Sequence, residues 1–358
     1  MVPLKQTLKL VVEQGARLAR EEARRVLTEI LSSEPGDGDL EITALLTAMA
    51  SRGETADELT GFAEAMRERA TPIPLTDAER AMLVDTCGTG GDGRGTFNIS
   101  TGAALVAVAA GAKVAKHGNR AVTSRCGSAD VLEALGVPIA LDPERAADCL
   151  RATGFMFLLA PALHPAMKRV MPIRKALGFR TIFNLAGPLT NPAGAKAQVM
   201  GVYAREKLPV AAESMARLSV RHAFVAHGSD GLDEITISGE THLAEVQGSG
   251  DRAQGSGSSV RLFSLSPEDA GLKRASLKDL AGGETAAENA AILERIFAGE
   301  TGPRRDVVLL NAAAALVAAG VVKDFEEGIV RGAEAIDSGA VREKISELSA
   351  FQKALRSV

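Results

Sequence analysis

Cysteine is scarce. Cys87, Cys126 and Cys149 are odd in number and lack metal-ligand spacing, which argues against a disulfide framework or a structural metal and for reduced thiols in a cytoplasm. The five histidines form no ligand cluster. No run of 18 apolar residues occurs and the N-terminus is charged, so neither a membrane span nor a signal peptide is expected. An excess of positive charge is missing as well: the formal net charge is −4, which weighs against a general nucleic-acid binder. Acid, in turn, is missing locally. Residues 93–129 hold five Lys or Arg and no Asp or Glu, and residues 149–205 hold eight more basic side chains, again with no acid. Two basic stretches in an acidic chain predict one focused positive cleft.

A chain of 358 residues, 46% hydrophobic, can bury a large core and divide into two domains. Residues 1–75 mix acidic and basic side chains and read as helical, with apolar stripes at Val26–Leu31 and Ile42–Ala48. Thr71-Pro72-Ile73-Pro74 reads as a link. From Met82 onward apolar runs alternate with helical ones, the pattern of an α/β fold. The expected division is a helical domain over 1–75, joined by helices from about 164–195, and an α/β domain over 76–358.

Met82-Leu83-Val84 leads into Asp85-Thr86-Cys87-Gly88-Thr89-Gly90-Gly91-Asp92-Gly93-Arg94-Gly95-Thr96-Phe97-Asn98-Ile99-Ser100-Thr101, and a run of small apolar residues follows. Five glycines between 88 and 95 leave backbone N–H groups bare and permit φ > 0. Set between a strand end and a helix start, such a loop suits a phosphate or pyrophosphate. Gly88-x-Gly90-x-x-Gly93 matches the dinucleotide fingerprint as a bare pattern, but the acid expected about 20 residues on is replaced by Lys113 and Lys116. The Gly-Lys-Ser/Thr of a Walker loop is absent. Phosphate binding survives while both common nucleotide readings weaken.

A second strand–loop–helix segment runs from Lys116 to Gly136. Lys116 falls at a strand's carboxyl end, where open α/β sheets bind ligands. Ser128 falls near a helix start, either as an ordinary cap or as a ligand contact. A helix over roughly 164–177, kinked or split by Pro172, would place Met167, Val170, Met171 and Arg174 on related faces; Arg174 is equally readable as a solvated residue. A third segment, a strand over 221–226 and a glycine turn, ends in Asp233-Glu234. Two acids beside a phosphate site make sense if they hold Mg²⁺; a solvated polar turn is the plainer alternative.

These three motifs, with Phe179-Arg180-Thr181-Ile182-Phe183-Asn184-Leu185-Ala186-Gly187-Pro188-Leu189-Thr190-Asn191-Pro192, resemble the anthranilate phosphoribosyltransferase family in order over nearly the whole chain. The resemblance implies transfer of a phosphoribosyl group from 5-phosphoribosyl 1-diphosphate (PRPP) to the amine of anthranilate, a step of tryptophan biosynthesis. It implies Mg²⁺ and a homodimer; the reduced thiols place the chain in the cytoplasm, and charge and hydropathy leave no nucleic-acid or membrane partner expected. It also implies the nucleoside phosphorylase/phosphoribosyltransferase-like fold: a small N-terminal helical domain beside a larger α/β domain with a mostly parallel sheet. By position, the resemblance assigns Gly88, Gly91, Asp92, Thr96, Asn98, Ile99, Ser100 and Thr101 to the PRPP loop. Lys116, His117, Gly118, Asn119, Arg120, Ala121, Val122, Thr123 and Ser124 correspond to its phosphate-binding strand and turn, and Ser128 to a further PRPP contact. Ser100, Asp233 and Glu234 match metal contacts; Gly88, Asn119, His164 and Arg174 match anthranilate contacts. No residue is assigned as a catalytic acid or base. The segment Gln247–Ser259, rich in Gly and Ser, departs from the family's shorter turn and reads as an extended flexible loop.

Two rival readings remain. A pyrimidine nucleoside phosphorylase shares the expected architecture but carries a different glycine loop and has no reason to place Asp233-Glu234 for a metal. A non-enzymatic nucleic-acid binder on the same fold should be basic overall.

Overall fold

The computed structural model describes residues 4–121, 126–248 and 258–356. The chain opens with four amphipathic helices, α1 (Leu4–Gln14), α2 (Arg20–Ser32), α3 (Asp39–Arg52) and α4 (Ala56–Glu68). Thr55 and Glu58 close a capping box on α4, satisfying two N-terminal donors. The Glu58 carboxylate is fully buried and also takes the Leu18 N–H and the Arg52 guanidinium, so the loop before α2 and the end of α3 are tied to the start of α4. The segment after α4 runs extended to a short α5 (Asp77–Ala81); its Ile73 is fully buried.

A seven-stranded sheet follows: β1 (Leu83–Gly88), β2 (Lys113–Gly118), β3 (Phe155–Leu159), β4 (Ala197–Gly201), β5 (His222–Gly228), β6 (Thr241–Gln247) and β7 (Ser259–Leu265). Its order is β3-β2-β1-β4-β5-β6-β7. The first five strands are parallel, and β6 and β7 add an antiparallel edge. The chain winds outward from β1 in one direction and from β4 in the other. Their boundary is therefore the topological switch point, where ligands bind in open α/β sheets. The helices of this part are α6 (Ile99–Ala109), α7 (Ser128–Ala134), α8 (Pro143–Thr153), α9 (Ala160–Leu163), α10 (Met171–Leu177), α11 (Ile182–Ala186), α12 (Leu208–Arg217), α13 (Ala286–Phe297), α14 (Pro303–Ala319), α15 (Phe325–Asp337) and α16 (Ala340–Arg356).

Strand alternation divides the core. On β5, Phe224 packs into the cluster formed with α6, α13 and α14, while Ala223 and Val225 face the cluster that continues into α2–α4 and α12. The helical bundle is thus built onto one face of β4–β6, and Ile173, Ile182, Phe183 and Leu185 of α10 and α11 belong to the same cluster. A small N-terminal helical domain and a larger α/β domain with a mostly parallel sheet result.

The helix expected over 164–177 is two pieces. A 3-10 turn spans Pro165–Arg169 and α10 starts afresh at Met171. Pro165 and Pro172 each lie in a first turn, where the missing N–H has no intrahelical partner to lose. Pro172 opens a helix instead of kinking one. Val170 is fully buried and Met171 is 43% exposed, so the predicted common face does not exist. The segment expected as a loop over 247–259 includes the end of β6 and the start of β7, and its residues 249–257 lie outside the described residues.

Candidate active site

The glycine loop leaves β1 at Gly88. Gly90, Gly91, Gly93 and Gly95 all have φ near +70° (71°, 71°, 71° and 67°), a conformation costly for residues with a Cβ. Gly88 pairs with Gly201 across the β1–β4 boundary, and Asp233 sits on this pair. A Cβ on Gly88 would run into the Asp233 carboxylate, and one on Gly201 into the Asp233 carbonyl. The Asp233 Oδ2 accepts from the Gly90 N–H at 2.6 Å. Glu234 Oε1 accepts from the Ser100 N–H at 3.2 Å, in the first turn of α6. Two acids distant in sequence are therefore set against the phosphate-type loop and the helix start.

Lys116, on β2, is 1% exposed. Its ammonium donates to the Thr86 carbonyl and reaches Ser100 Oγ at 3.5 Å. Burial lowers its pKa, while the charges of Asp85 and Glu234 hold it up. Burial pushes Asp233 and Glu234 well above the ordinary carboxylate range; Asp92 adds to the effect on Asp233, and Asp233 to that on Glu234. An acid pair, Asp233 buried and Glu234 half-buried, with one lysine for company calls for a further cation. Among the described residues no group of three or more His, Cys, Asp or Glu forms a metal cage. Mg²⁺ does not need one, being held by one or two carboxylates together with water and substrate phosphate. The donor set of Ser100, Asp233 and Glu234 fits that ion.

Below the lysine lies Asp85, fully buried on β1 and pushed up to about 6, chiefly by burial. It accepts from the His117 N–H (3.0 Å) and from Asn191 Nδ2 (2.9 Å). Asn191 also donates to the Ala115 carbonyl at 2.8 Å, so the 179–192 motif reaches back to fix β2. His117 and His164 are 7% and 5% exposed, with ring centroids 5.2 Å apart. Burial pushes them down to about 3 and about 4, so both are neutral near pH 7. Arg174, on α10, lies with its guanidinium carbon 5.3 Å from the Phe183 ring centroid and Nη1 3.6 Å from Met171 Sδ. Burial lowers its pKa, and among the described residues no carboxylate pairs with it.

Other expected contacts are placed differently. Ile99 is 1% exposed, so only its backbone faces the loop, and its N–H donates to the Phe97 carbonyl at 2.8 Å. Asn98 Nδ2 donates to the Cys126 carbonyl at 3.2 Å, and Thr101 is buried. Thr96 makes an isolated bridge with Ala281. The Arg120 guanidinium is engaged by Asp130 and Glu133. The Ala121 N–H donates to Asp130, at 2.9 Å. Gly127, not Ser128, is the N-cap of α7, and Ser128 Oγ donates to the Asn119 carbonyl at 3.3 Å. A Cβ on Gly118 would strike that Ser128 hydroxyl, which brings the strand end and the helix start together. Val122, Thr123 and Ser124 lie outside the described residues. The second basic stretch does not all enter the cleft: Arg151 pairs with Glu79 and Arg169 with Asp39.

Sequence reasoning gave no role to Arg180, whose guanidinium donates to the Gly91 carbonyl and stacks 4.4 Å from the Tyr203 centroid. It gave none to Asp85 either. A lone acid inside an apolar strand was the available signal.

A helical bundle set against an α/β sheet is the architecture of the glycosyl transferase family, and the chain belongs to that family. Its helical bundle domain model matches residues 5–70, and its α/β domain model residues 80–342. Within the family the similar proteins are anthranilate phosphoribosyltransferases. That of Pelotomaculum thermopropionicum is 50% identical over 97% of this chain and 96% of its own length, and that of Anaeromyxobacter sp. (strain K) is 50% identical over 95% and 96%. The crystal structure of the Thermus thermophilus enzyme has 42% identity and a TM-score of 0.86, covering 99% of this chain and all of that one. The Saccharomyces cerevisiae enzyme in complex with PRPP and Mg has 27% identity and a TM-score of 0.85, with 98% of each chain covered.

Proposed function

We propose that this enzyme transfers the phosphoribosyl group of PRPP to the amine of anthranilate, giving N-(5-phosphoribosyl)anthranilate and diphosphate, as a step of tryptophan biosynthesis. The observation that carries this reading is the seating of Asp233 and Glu234 on the glycine loop and the α6 start: a phosphate site with a built-in demand for a divalent cation. Ser100, Asp233 and Glu234 would hold Mg²⁺, which when bound neutralises charge on the diphosphate. The glycine loop, with Asn98 and Thr101 at its end, and Lys116 bind and orient PRPP. Arg174 takes the anthranilate carboxylate in a charge-assisted bond.

The anilinic nitrogen is unprotonated near pH 7 and needs little help from a base. The neutral His117–His164 pair accords with this, for pKa values pushed down to about 3 and about 4 make both rings weak bases. Catalysis then rests on alignment of the two substrates and on stabilising the departing diphosphate as C1 of the ribose gains oxocarbenium character. Water would hydrolyse PRPP, so the cleft must exclude it, and closure of the helical domain over the sheet would do so. The active unit is a cytoplasmic homodimer, with no nucleic-acid or membrane partner; no helix among the described residues is long and apolar enough to cross a membrane.

Purified protein with PRPP and Mg²⁺ should extinguish anthranilate fluorescence as product forms. A folded protein that leaves the fluorescence unchanged, while it arsenolyses thymidine, would be a nucleoside phosphorylase and not this transferase.

A further inference from the structure

Helix α14 carries an apolar run, residues 307–318, in which Asn311 is the single polar side chain. It is 2% exposed. A buried carboxamide is costly unless its groups are bonded. Asn311 Oδ1 accepts from the Ile235 N–H at 3.1 Å, and Nδ2 donates to the Ile235 carbonyl at 2.8 Å and to the Val307 carbonyl at 2.9 Å. The side chain thus grips both backbone groups of Ile235, as a neighbouring strand would. Ile235 follows Glu234 directly, and its own side chain is fully buried. The gripped N–H belongs to the peptide plane that joins Glu234 to Ile235.

The rest of the acid-bearing turn is held in the same manner from other directions. Asp230 accepts from the Leu232 N–H (3.1 Å) and the Thr236 hydroxyl (2.6 Å). The Asp233 carbonyl is pressed against Gly201 of β4. Asp230 and Gly201 act from within the turn and from the sheet; Asn311 ties it by hydrogen bonds to α14, 76 residues further along the chain. An apolar residue at 311 would pack on α14 equally well, but would leave the Ile235 N–H and carbonyl without partners.

We propose that Asn311 is a positioning residue for the metal site: it fixes the Glu234–Ile235 peptide and so the aim of the Asp233–Glu234 carboxylates at a divalent cation. The inference rests on the reading that this pair holds Mg²⁺. A purely structural Asn311 would affect stability and leave metal affinity alone.

The test measures Mn²⁺ binding by electron paramagnetic resonance of the free ion, with PRPP present, beside steady-state kinetics. Asn311→Leu, verified as folded by circular dichroism, should weaken Mn²⁺ and raise the half-activating Mg²⁺ by about ten- to a hundredfold, the range for loss of an outer-shell partner. The KM for anthranilate should stay within about twofold, and saturating Mg²⁺ should restore most of kcat. Asn311→Asp keeps the shape and the acceptor for the Ile235 N–H but sets an oxygen against the Ile235 and Val307 carbonyls, and should shift Mn²⁺ affinity in the same direction. It serves where the leucine variant does not fold. Unchanged Mn²⁺ affinity in either folded variant overturns the inference. Asp233→Asn/Glu234→Gln is measured alongside. If that double variant binds Mn²⁺ as well as the wild type, the metal reading itself falls; if it weakens Mn²⁺ and the Asn311 variants do not, only the role of Asn311 is lost.

Discussion

Arg174 illustrates how one residue's surroundings decide its use. A cation partly withdrawn from water, over an aromatic ring and without a carboxylate partner among the described residues, suits the anion that the proposed function gives it. Replacing it by alanine should cost about 1.5–3 kcal/mol of charge-assisted bonding, a loss of about ten- to a hundredfold in kcat/KM for anthranilate. The KM for PRPP should move much less, and lysine should rescue only in part, lacking the planar fork. A collapse of PRPP binding with anthranilate unaffected would place Arg174 in the phosphate site. His164 supplies a test in stability. Its pKa is pushed down to about 4 from the ordinary 6.5, so the unfolded chain binds the proton more readily between those values. Stability must then fall as pH drops from about 6.5 toward 4, and the gap corresponds to about 3 kcal/mol. His164→Asn should lose that share of the pH dependence. Denaturant melts of both proteins at pH 7 and pH 4.5 check it; parallel decline in the two would refute a buried neutral His164.

At the scale of elements, two glycines on neighbouring strands make the site possible. Gly88 and Gly201 are register partners, and the Asp233 turn is laid over both. Gly201→Ala places a methyl against the Asp233 carbonyl, which must shift. The expected cost is about 1–3 kcal/mol of stability, as for other overpacked positions. The half-activating Mg²⁺ should rise as the acids are displaced. Thermal melts and Mg²⁺ titrations read the two effects separately, and an unchanged Mg²⁺ requirement would mean that the turn absorbs the methyl without moving its carboxylates. Close approach also governs α6. A Cβ on Gly102 would press on Leu293 and Val308, so α6 lies tight on α13 and α14 and its first turn is held firmly under Glu234.

Over the whole molecule, an acidic chain presents a basic anion site. The charge of −4 discourages general polyanion binding, while on the proposed reading Lys116 and Arg174 would act on the substrates at short range. Raising salt from about 50 to 500 mM shortens the screening length several-fold. The KM for PRPP, a multiply charged substrate, should therefore rise more steeply than the KM for anthranilate. The protein should pass through a heparin column at physiological ionic strength. Equal salt dependence of the two KM values, or firm retention on heparin, would contradict a focused site. The helical and α/β domains share one apolar cluster, and Arg67 of α4 donates to the Leu189 carbonyl at 2.7 Å, which joins the bundle to the chain that returns to β4.

Much of this was legible in the chain itself. The glycine loop announced its chemistry because positive φ at Gly90, Gly91, Gly93 and Gly95 is a local property, set by the absence of a Cβ. The alternation of strands and helices announced the α/β class, since periodicity is local as well. The Asp233-Glu234 pair and Lys116 stood out by charge. Contacts between segments remote in sequence were not legible. That Asp85 holds the His117 backbone, that Arg180 reaches Gly91, and that Asn311 grips Ile235 depend on which surfaces pack together. The engagement of Arg120 by Asp130 and Glu133 and of Arg169 by Asp39 depends on it too. The break at Val170 had a local cause in two prolines, yet its burial beside an exposed Met171 was decided by the bundle. The sequence determined the elements and the chemistry on offer, because backbone preference and side-chain type act over a few residues. Tertiary structure decided which charges meet the substrate and which meet one another, because burial and pairing are settled only when distant elements close on the same space.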